Sequence, residues 1–134
     1  ASHCLNSRST GIKDEVTGLT QGRGADHAFE AVGISATVRL AVSSVRKGGT
    51  VTLLGNLSPD VEFPLQQVVT RQLTVQGSCA ICGEYEAVLD LMAAGKLNTD
   101  ALISAEAPLK DGAVWFKRLY QKEKGLIKVV LKPE

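Results

Sequence analysis

An excess of charge of either sign is missing: fifteen Lys and Arg stand against fourteen Asp and Glu, a net charge of +1. That balance removes the electrostatic case for nucleic acid or an anionic membrane as a partner. No apolar run approaches the ~18 residues that a membrane span requires. Nor does a charged-then-apolar leader precede a cleavage site, so the expected address is cytoplasmic. Cysteine is scarce and odd in number, three in 134 residues. This excludes a disulfide framework and suits a reducing compartment. Beside the acids, only His3, His27, Cys4, Cys79 and Cys82 are available as metal ligands, a poor supply for a catalytic zinc with its three or more converging donors. No Ser-His-acid or Cys-His arrangement has a recognisable setting, which leaves nucleophilic catalysis without support. Internal repeats, low-complexity tracts and an obvious linker are lacking as well.

What remains is an ordinary globular composition, 44% apolar and 22% charged, in a chain long enough to bury a real core. Its pattern alternates strand and helix. "SHCLN" reads as a short strand, and "IKDEVTGLT" as a weak helix with Asp14 and Glu15 near its positive end. "ADHAFEAV" shows little alternation, as expected of a strand buried on both faces. From Ile34 a stripe of Val38, Ala41, Val42 and Val45 marks a helix with Ser35 as N-cap and Gly48-Gly49 as its end. "TVTLLG" is the next strand, "PLQQVVTRQ" a helix opened by proline, and "LTVQGS" another strand.

"EYEAVLDLMAAG" carries Tyr85, Val88, Leu89 and Met92 on one face as core filler and stops at Gly95. "ALISAEAP" is a strand, the segment from Lys110 to Gly125 a helix burying Ala113, Phe116, Leu119 and Tyr120, and "LIKVVL" a closing strand. The basic stretch "KRLYQKEKGLIK" is a solvated helix end. Such repetition predicts an α/β protein with a mainly parallel sheet.

Gly22 and Gly24 in "TQGRGADHAFEAVG" raise the question of a phosphate cradle. A dinucleotide fingerprint places its glycines after a strand and at the start of a helix. These two precede a strand, and His27 occupies the place of the third glycine. A plain helix-to-strand turn is the expected role.

The segments "GRGADHAFEAVG", "KGGTVTLLGN", "QLTVQGS", "GEYEAVLDLMAAGKL" and "GLIKVVLKP" together carry a resemblance that none of them carries alone. In their order and spacing the chain resembles the zinc-containing alcohol dehydrogenases, the medium-chain dehydrogenase family, and most nearly its polyol and threonine dehydrogenase branch. The resemblance implies the second part of a Rossmann-type doubly wound parallel sheet plus the C-terminal return to the catalytic domain. On that plan residues 1–97 form a partial cofactor-binding domain, with the first two strands absent, and residues 98–134 belong to the catalytic domain. "ASHCLN" takes the place of the third strand; residues 25–32, 50–55 and 73–78 take those of the fourth, fifth and sixth. The glycine fingerprint, the acidic residue for the adenosine ribose and the zinc ligands are not in the sequence, so the expectation is a fragment of a larger enzyme, inactive alone.

The same resemblance implies a cofactor half-site. Val32 and Gly33 would lie beside the adenosine part of NAD(P), although Gly33 also serves simply to start a helix. Leu54, Gly55 and Asn56 would flank the nicotinamide. Gly77 and Ser78 would offer backbone groups to its carboxamide, or else form a bare turn. Lys128 falls where the family places a basic side chain, often arginine, near the pyrophosphate; lysine supplies a point charge rather than a fork. No residue of the chain is expected to be catalytic or to bind metal. NAD(P) and zinc belong to the parent enzyme, whose substrate would be a small alcohol or polyol. Two rival readings remain. One is a non-catalytic truncated dehydrogenase domain that acts as an assembly module, a homo-oligomer joined through sheet edges. The other is a thiol oxidoreductase built on Cys79-Ala80-Ile81-Cys82, set between a strand and a helix N-terminus.

Overall fold

Four valines form the centre of the first part of the chain. In the computed structural model, which describes residues 2–6, 9 and 11–133, Val38, Val42, Val45 and Val51 are the most deeply buried side chains among the described residues. Helix α2 (Ser35–Ser44) presents Val38 and Val42 one turn apart, and strand β2 (Val45–Leu53) supplies Val45 and Val51. Ala28, Ala41, Leu53, Val68, Leu73 and Val75 close around Val42, Val45 and Val51. Each buried valine contributes about 1.5–3 kcal/mol relative to exposure, so this cluster dominates the unit.

The chain divides after Ala80 into two units. In the first, β1 (Ala25–Glu30), β2 and β3 (Thr74–Gly77) form a three-stranded sheet in the order β1-β2-β3. Both pairs are parallel, with Phe29 opposite Thr52 and Thr52 opposite Gln76. Helices α1 (Ile12–Leu19) and α3 (Leu65–Thr70) both contact α2. Side chains alternate across a strand: Ala28, Val51 and Val75 face the core, and His27, Phe29, Thr52 and Gln76 occupy the other face. There the rings of His27 and Phe29 stack, centroids 4.4 Å apart. His27 Nε2 lies 2.8 Å from Thr52 Oγ1, and that hydroxyl oxygen accepts from Gln76 Nε2 at 3.1 Å. Phe29 is 70% exposed. The expectation of a strand buried on both faces is therefore wrong for β1, and His27, although bonded, is not a core residue.

Three further expectations need correction. Residues 2–6, read as a strand, have no regular structure and belong to neither sheet among the described residues; a strand needs a neighbouring strand to be stable. Ala1, included in that reading, lies outside the described residues. Helix α2 ends at Ser44, before Gly48-Gly49, because Val45 is already extended (φ −78°, ψ 153°) and opens β2. A distant residue holds that corner. The Arg71 guanidinium donates from Nη1 to the Val42 carbonyl at 2.9 Å and from Nη2 to the Val45 carbonyl, while the Gly48 N–H donates to the Arg71 carbonyl at 2.9 Å. Ser35, finally, makes no cap bond to α2. Its Oγ accepts the Glu62 N–H instead, at 2.9 Å.

The second unit contains α4 (Tyr85–Ala93), β4 (Ile103–Pro108), α5 (Gly112–Tyr120) and β5 (Lys128–Lys132), with β4 and β5 paired in parallel. The elements match the periodicity, but the burial does not. Tyr85, Val88, Leu89 and Met92 are exposed, as are Ala113, Phe116 (71%) and Tyr120 (89%). Periodicity identifies the apolar face of a helix; a two-stranded sheet offers too little surface to cover two such faces. On α5, Arg118 stacks over Trp115 at 4.1 Å and forks onto Glu123 at 2.7 and 2.6 Å. The basic stretch that begins in the last turn of α5 is thus partly paired within itself. Among the described residues, no helix is long and apolar enough to cross a membrane.

Candidate functional site

Gly22 and Gly24 lie in the turn from α1 into β1, and their amides are occupied. The Gly22 N–H donates to the Thr17 carbonyl at 2.8 Å and the Gly24 N–H to Thr20 Oγ1 at 2.9 Å. A phosphate cradle needs such N–H groups unspent, so the helix-to-strand turn is the correct reading.

The carboxyl ends of the three parallel strands are different. Val32 and Gly33 follow β1, Leu54, Gly55 and Asn56 follow β2, Gly77 ends β3 and Ser78 succeeds it. Backbone bonds stitch these ends together. The Leu54 and Gly55 N–H groups donate to the Glu30 carbonyl at 2.7 and 3.0 Å. Those of Leu57 and Ser58 reach the Val32 and Gly33 carbonyls at 3.3 and 3.0 Å, and Ser78 N–H meets the Leu53 carbonyl at 2.9 Å. A cleft of about 340 Å³ opens there, lined by Leu54, Gly55, Asn56, Gly77, Ser78 and Cys79 beside Leu53. Five of the eight residues singled out in the sequence line it. Val32 and Gly33 do not line it but lie against Gly55, where an added Cβ would overlap their backbone. Lys128 belongs to the second unit, where it opens β5 opposite Ile103. A larger hollow of about 580 Å³ lies between the three helices, where Lys13, Asp14 and Arg39 line it; Arg39 is paired with Glu62. It is away from the strand ends, where open α/β sheets bind ligands.

One residue of this region escaped the sequence reading. Glu30, the last residue of β1, is only 3% exposed. Its Oε1 accepts the Val32 and Gly33 N–H groups, both at 2.9 Å, and its Oε2 the Gly33 N–H at 3.0 Å. Burial pushes its pKa up, but the Gly33 amide, the Thr37 hydroxyl and the Val32 amide together outweigh burial and hold the carboxyl below its ordinary value of 4.5. A depressed carboxylate stabilises the fold fully above its unfolded pKa and loses that contribution as pH falls through the folded one. The stability difference between wild type and Glu30→Gln is therefore expected to be largest near neutral pH and to shrink as pH drops below about 4.5. Urea unfolding from pH 7 to pH 3 checks this; a difference independent of pH contradicts it.

Cys79 lines the cleft, and Cys4, Cys79 and Cys82 are all exposed free thiols. At the start of α4 the Cys82 N–H donates to Glu84 Oε2 at 2.6 Å, which holds the Glu84 carboxyl below its ordinary range. The carboxylate thus closes the turn that leads into α4, while the helix itself has no side-chain cap. Among the described residues no group of three His, Cys, Asp or Glu side chains is placed to hold a metal ion.

Parallel strands whose carboxyl ends open onto one cleft are the architecture of a Rossmann-type cofactor domain. The chain belongs to the zinc-binding dehydrogenase family, whose sequence profile matches residues 1–94. It is 28% identical over 133 residues to an alcohol dehydrogenase of Cupriavidus necator, covering 96% of this chain and 36% of that protein. A putative D-xylulose reductase of Rhizobium meliloti is 30% identical over 114 residues, 85% of this chain and 33% of the relative. Among solved structures, the alcohol dehydrogenase TADH of Thermus sp. ATN1 superposes with a TM-score of 0.87 at 31% identity, over 97% of this chain and 38% of that one. The chain spans about a third of the length of the curated relatives it matches.

Proposed function

We propose that this chain supplies the C-terminal part of a zinc-dependent, NAD(P)-dependent oxidoreductase acting on a small alcohol or polyol, and that its own contribution is part of the cofactor crevice. One observation carries the reading: residues from the carboxyl ends of two neighbouring parallel strands, β2 and β3, line a single cleft. The chain's residues fit a dinucleotide there, because a Cβ on Gly77 would meet nothing within 4 Å and the strand end presents bare backbone to open space. Leu54, Gly55 and Asn56 would flank the nicotinamide, Gly77 and Ser78 would face its carboxamide, and Val32 with Gly33 would lie against the adenosine part. Lys128 is the expected partner of the pyrophosphate. When bound, the nicotinamide accepts or returns the hydride. Among the described residues no three ligand-type side chains converge on a zinc, which would be held by other parts of the parent enzyme. A cytoplasmic address belongs to the same reading.

The chain alone is expected to show no alcohol dehydrogenase activity, no stoichiometric zinc and no micromolar affinity for NAD, since half a crevice makes only part of the contacts. Metal analysis and calorimetric titration test this; bound catalytic zinc or micromolar NAD binding refutes it. A second reading, an assembly module, draws on the outer edge of β1 and the exposed Phe29.

A further inference from the structure

Val32 and Gly33 have no backbone N–H left to donate to a ligand. Their N–H groups go to the Glu30 carboxylate and their carbonyls to Leu57 and Ser58. A ligand against this wall gains no amide donor from it, so the position of the wall decides the contact. Glu30 sets that position twice. Its carboxylate gathers the turn after β1, in which Gly33 has φ +82°, and its carbonyl takes the Leu54 and Gly55 amides at the end of β2. The two turns then meet backbone to backbone at Gly33 and Gly55.

We infer that Glu30 is a positioning residue of the cofactor crevice: by binding the Val32 and Gly33 amides it fixes the wall against which the dinucleotide packs, without touching the cofactor itself. The inference rests on the reading of the cleft as a cofactor site. Glu30 is at the end of the strand and beneath the turn, with the Thr37 hydroxyl of α2 beside it. A glutamine there keeps one acceptor oxygen but sets an NH₂ donor where the second carboxylate oxygen receives Gly33 N–H, so donor meets donor. The turn then loses part of its hold while the valine core, formed by other residues, is retained.

The test is NMR of the full 134-residue chain, wild type and Glu30→Gln, with amide exchange and titration by millimolar NADH. In the wild type NADH is expected to shift the amides of residues 32–33, 54–56 and 77–78. In Glu30→Gln the Val32 and Gly33 amides should exchange about tenfold faster or more, core amides such as Val51 should change about twofold or less, and the NADH-induced shifts should need about tenfold more ligand. Unchanged NADH shifts in Glu30→Gln overturn the positioning role while leaving the cofactor reading in place. No NADH shift in the wild type overturns the cofactor reading, and this inference with it, even if exchange at Val32 still responds. If Glu30→Gln does not fold, Glu30→Asp, with the charge on a shorter arm, is put through the same two measurements with the same criteria.

Discussion

Gly55→Ala is expected to cost about 3 kcal/mol of stability or more, at the upper end of overpacking effects. A Cβ on Gly55 would overlap the Gly33 nitrogen and the Val32 backbone. These are main-chain atoms, held by Glu30 from one side and by Leu57 and Ser58 from the other, so they cannot swing away as a flexible side chain would. A relaxed variant must part the ends of β1 and β2 and give up the bonds from Leu54 and Gly55 to the Glu30 carbonyl. In a domain whose total stability is about 5–15 kcal/mol, that loss should lower the melting temperature by roughly 10 °C. Gly77→Ala is the matched control, since its Cβ meets nothing within 4 Å; a change of about 0.5 kcal/mol or less is expected there. Thermal melts of the two variants decide the matter: equal melting temperatures would mean that the turns after β1 and β2 are not in contact. The contrast also separates two uses of glycine at one cleft. Gly55 is needed by the fold itself, whereas any need for Gly77 has to come from a ligand.

The strand ends were legible in the sequence because short apolar runs terminate there in glycine: Val32-Gly33, Leu54-Gly55 and Gly77. The helices were legible from their stripes, and their starts and stops less so. Sequence proximity favours Gly48-Gly49 as the end of α2, but the true end is set by Arg71, more than twenty residues later, which takes up the Val42 and Val45 carbonyls. No local pattern reports such a partner. Glu30 was passed over for a different reason. A single carboxylate inside "DHAFEAVG" reads as a break in an apolar strand, and only the register shows that it points to the core side. The available signal was its place two and three residues before Val32 and Gly33, within reach of both amides. The apolar faces of α4 and α5 illustrate a third limit. Their spacing was right, yet Phe116 and Tyr120 are exposed, because a stripe records that a face seeks cover and does not say what covers it.

The same limit applies to the sheet, and self-association is the expected result. In the doubly wound order 3-2-1-4-5-6, the fourth strand, the place that the family resemblance implies for β1, has a neighbour on each side. Here, among the described residues, β1 pairs only with β2 and β3 only with β2. Two edges therefore carry unpaired backbone groups, the templates through which chains add to one another. The face beside the β1 edge adds apolar drive, since Phe29 and the His27 ring stacked on it are exposed. Opposing this, Asp26 near the start of β1 is paired with Arg23 at 2.7 Å and Arg46 at 2.5 Å, and edge charges of this kind discourage pairing. They sit at one end only. The remainder of β1 is unguarded through Phe29, and β3 is the other open edge of the sheet among the described residues. The chain is thus expected to dimerise or aggregate in the micromolar range, and Phe29→Lys, which places a charge on the open face, to weaken association about tenfold or more, equivalent to about 1.4 kcal/mol. Light scattering over a dilution series measures both. A wild-type chain that remains a cooperatively folding monomer at every concentration would show that the edges are not adhesive, and an undiminished association of Phe29→Lys would place the contact at β3 instead.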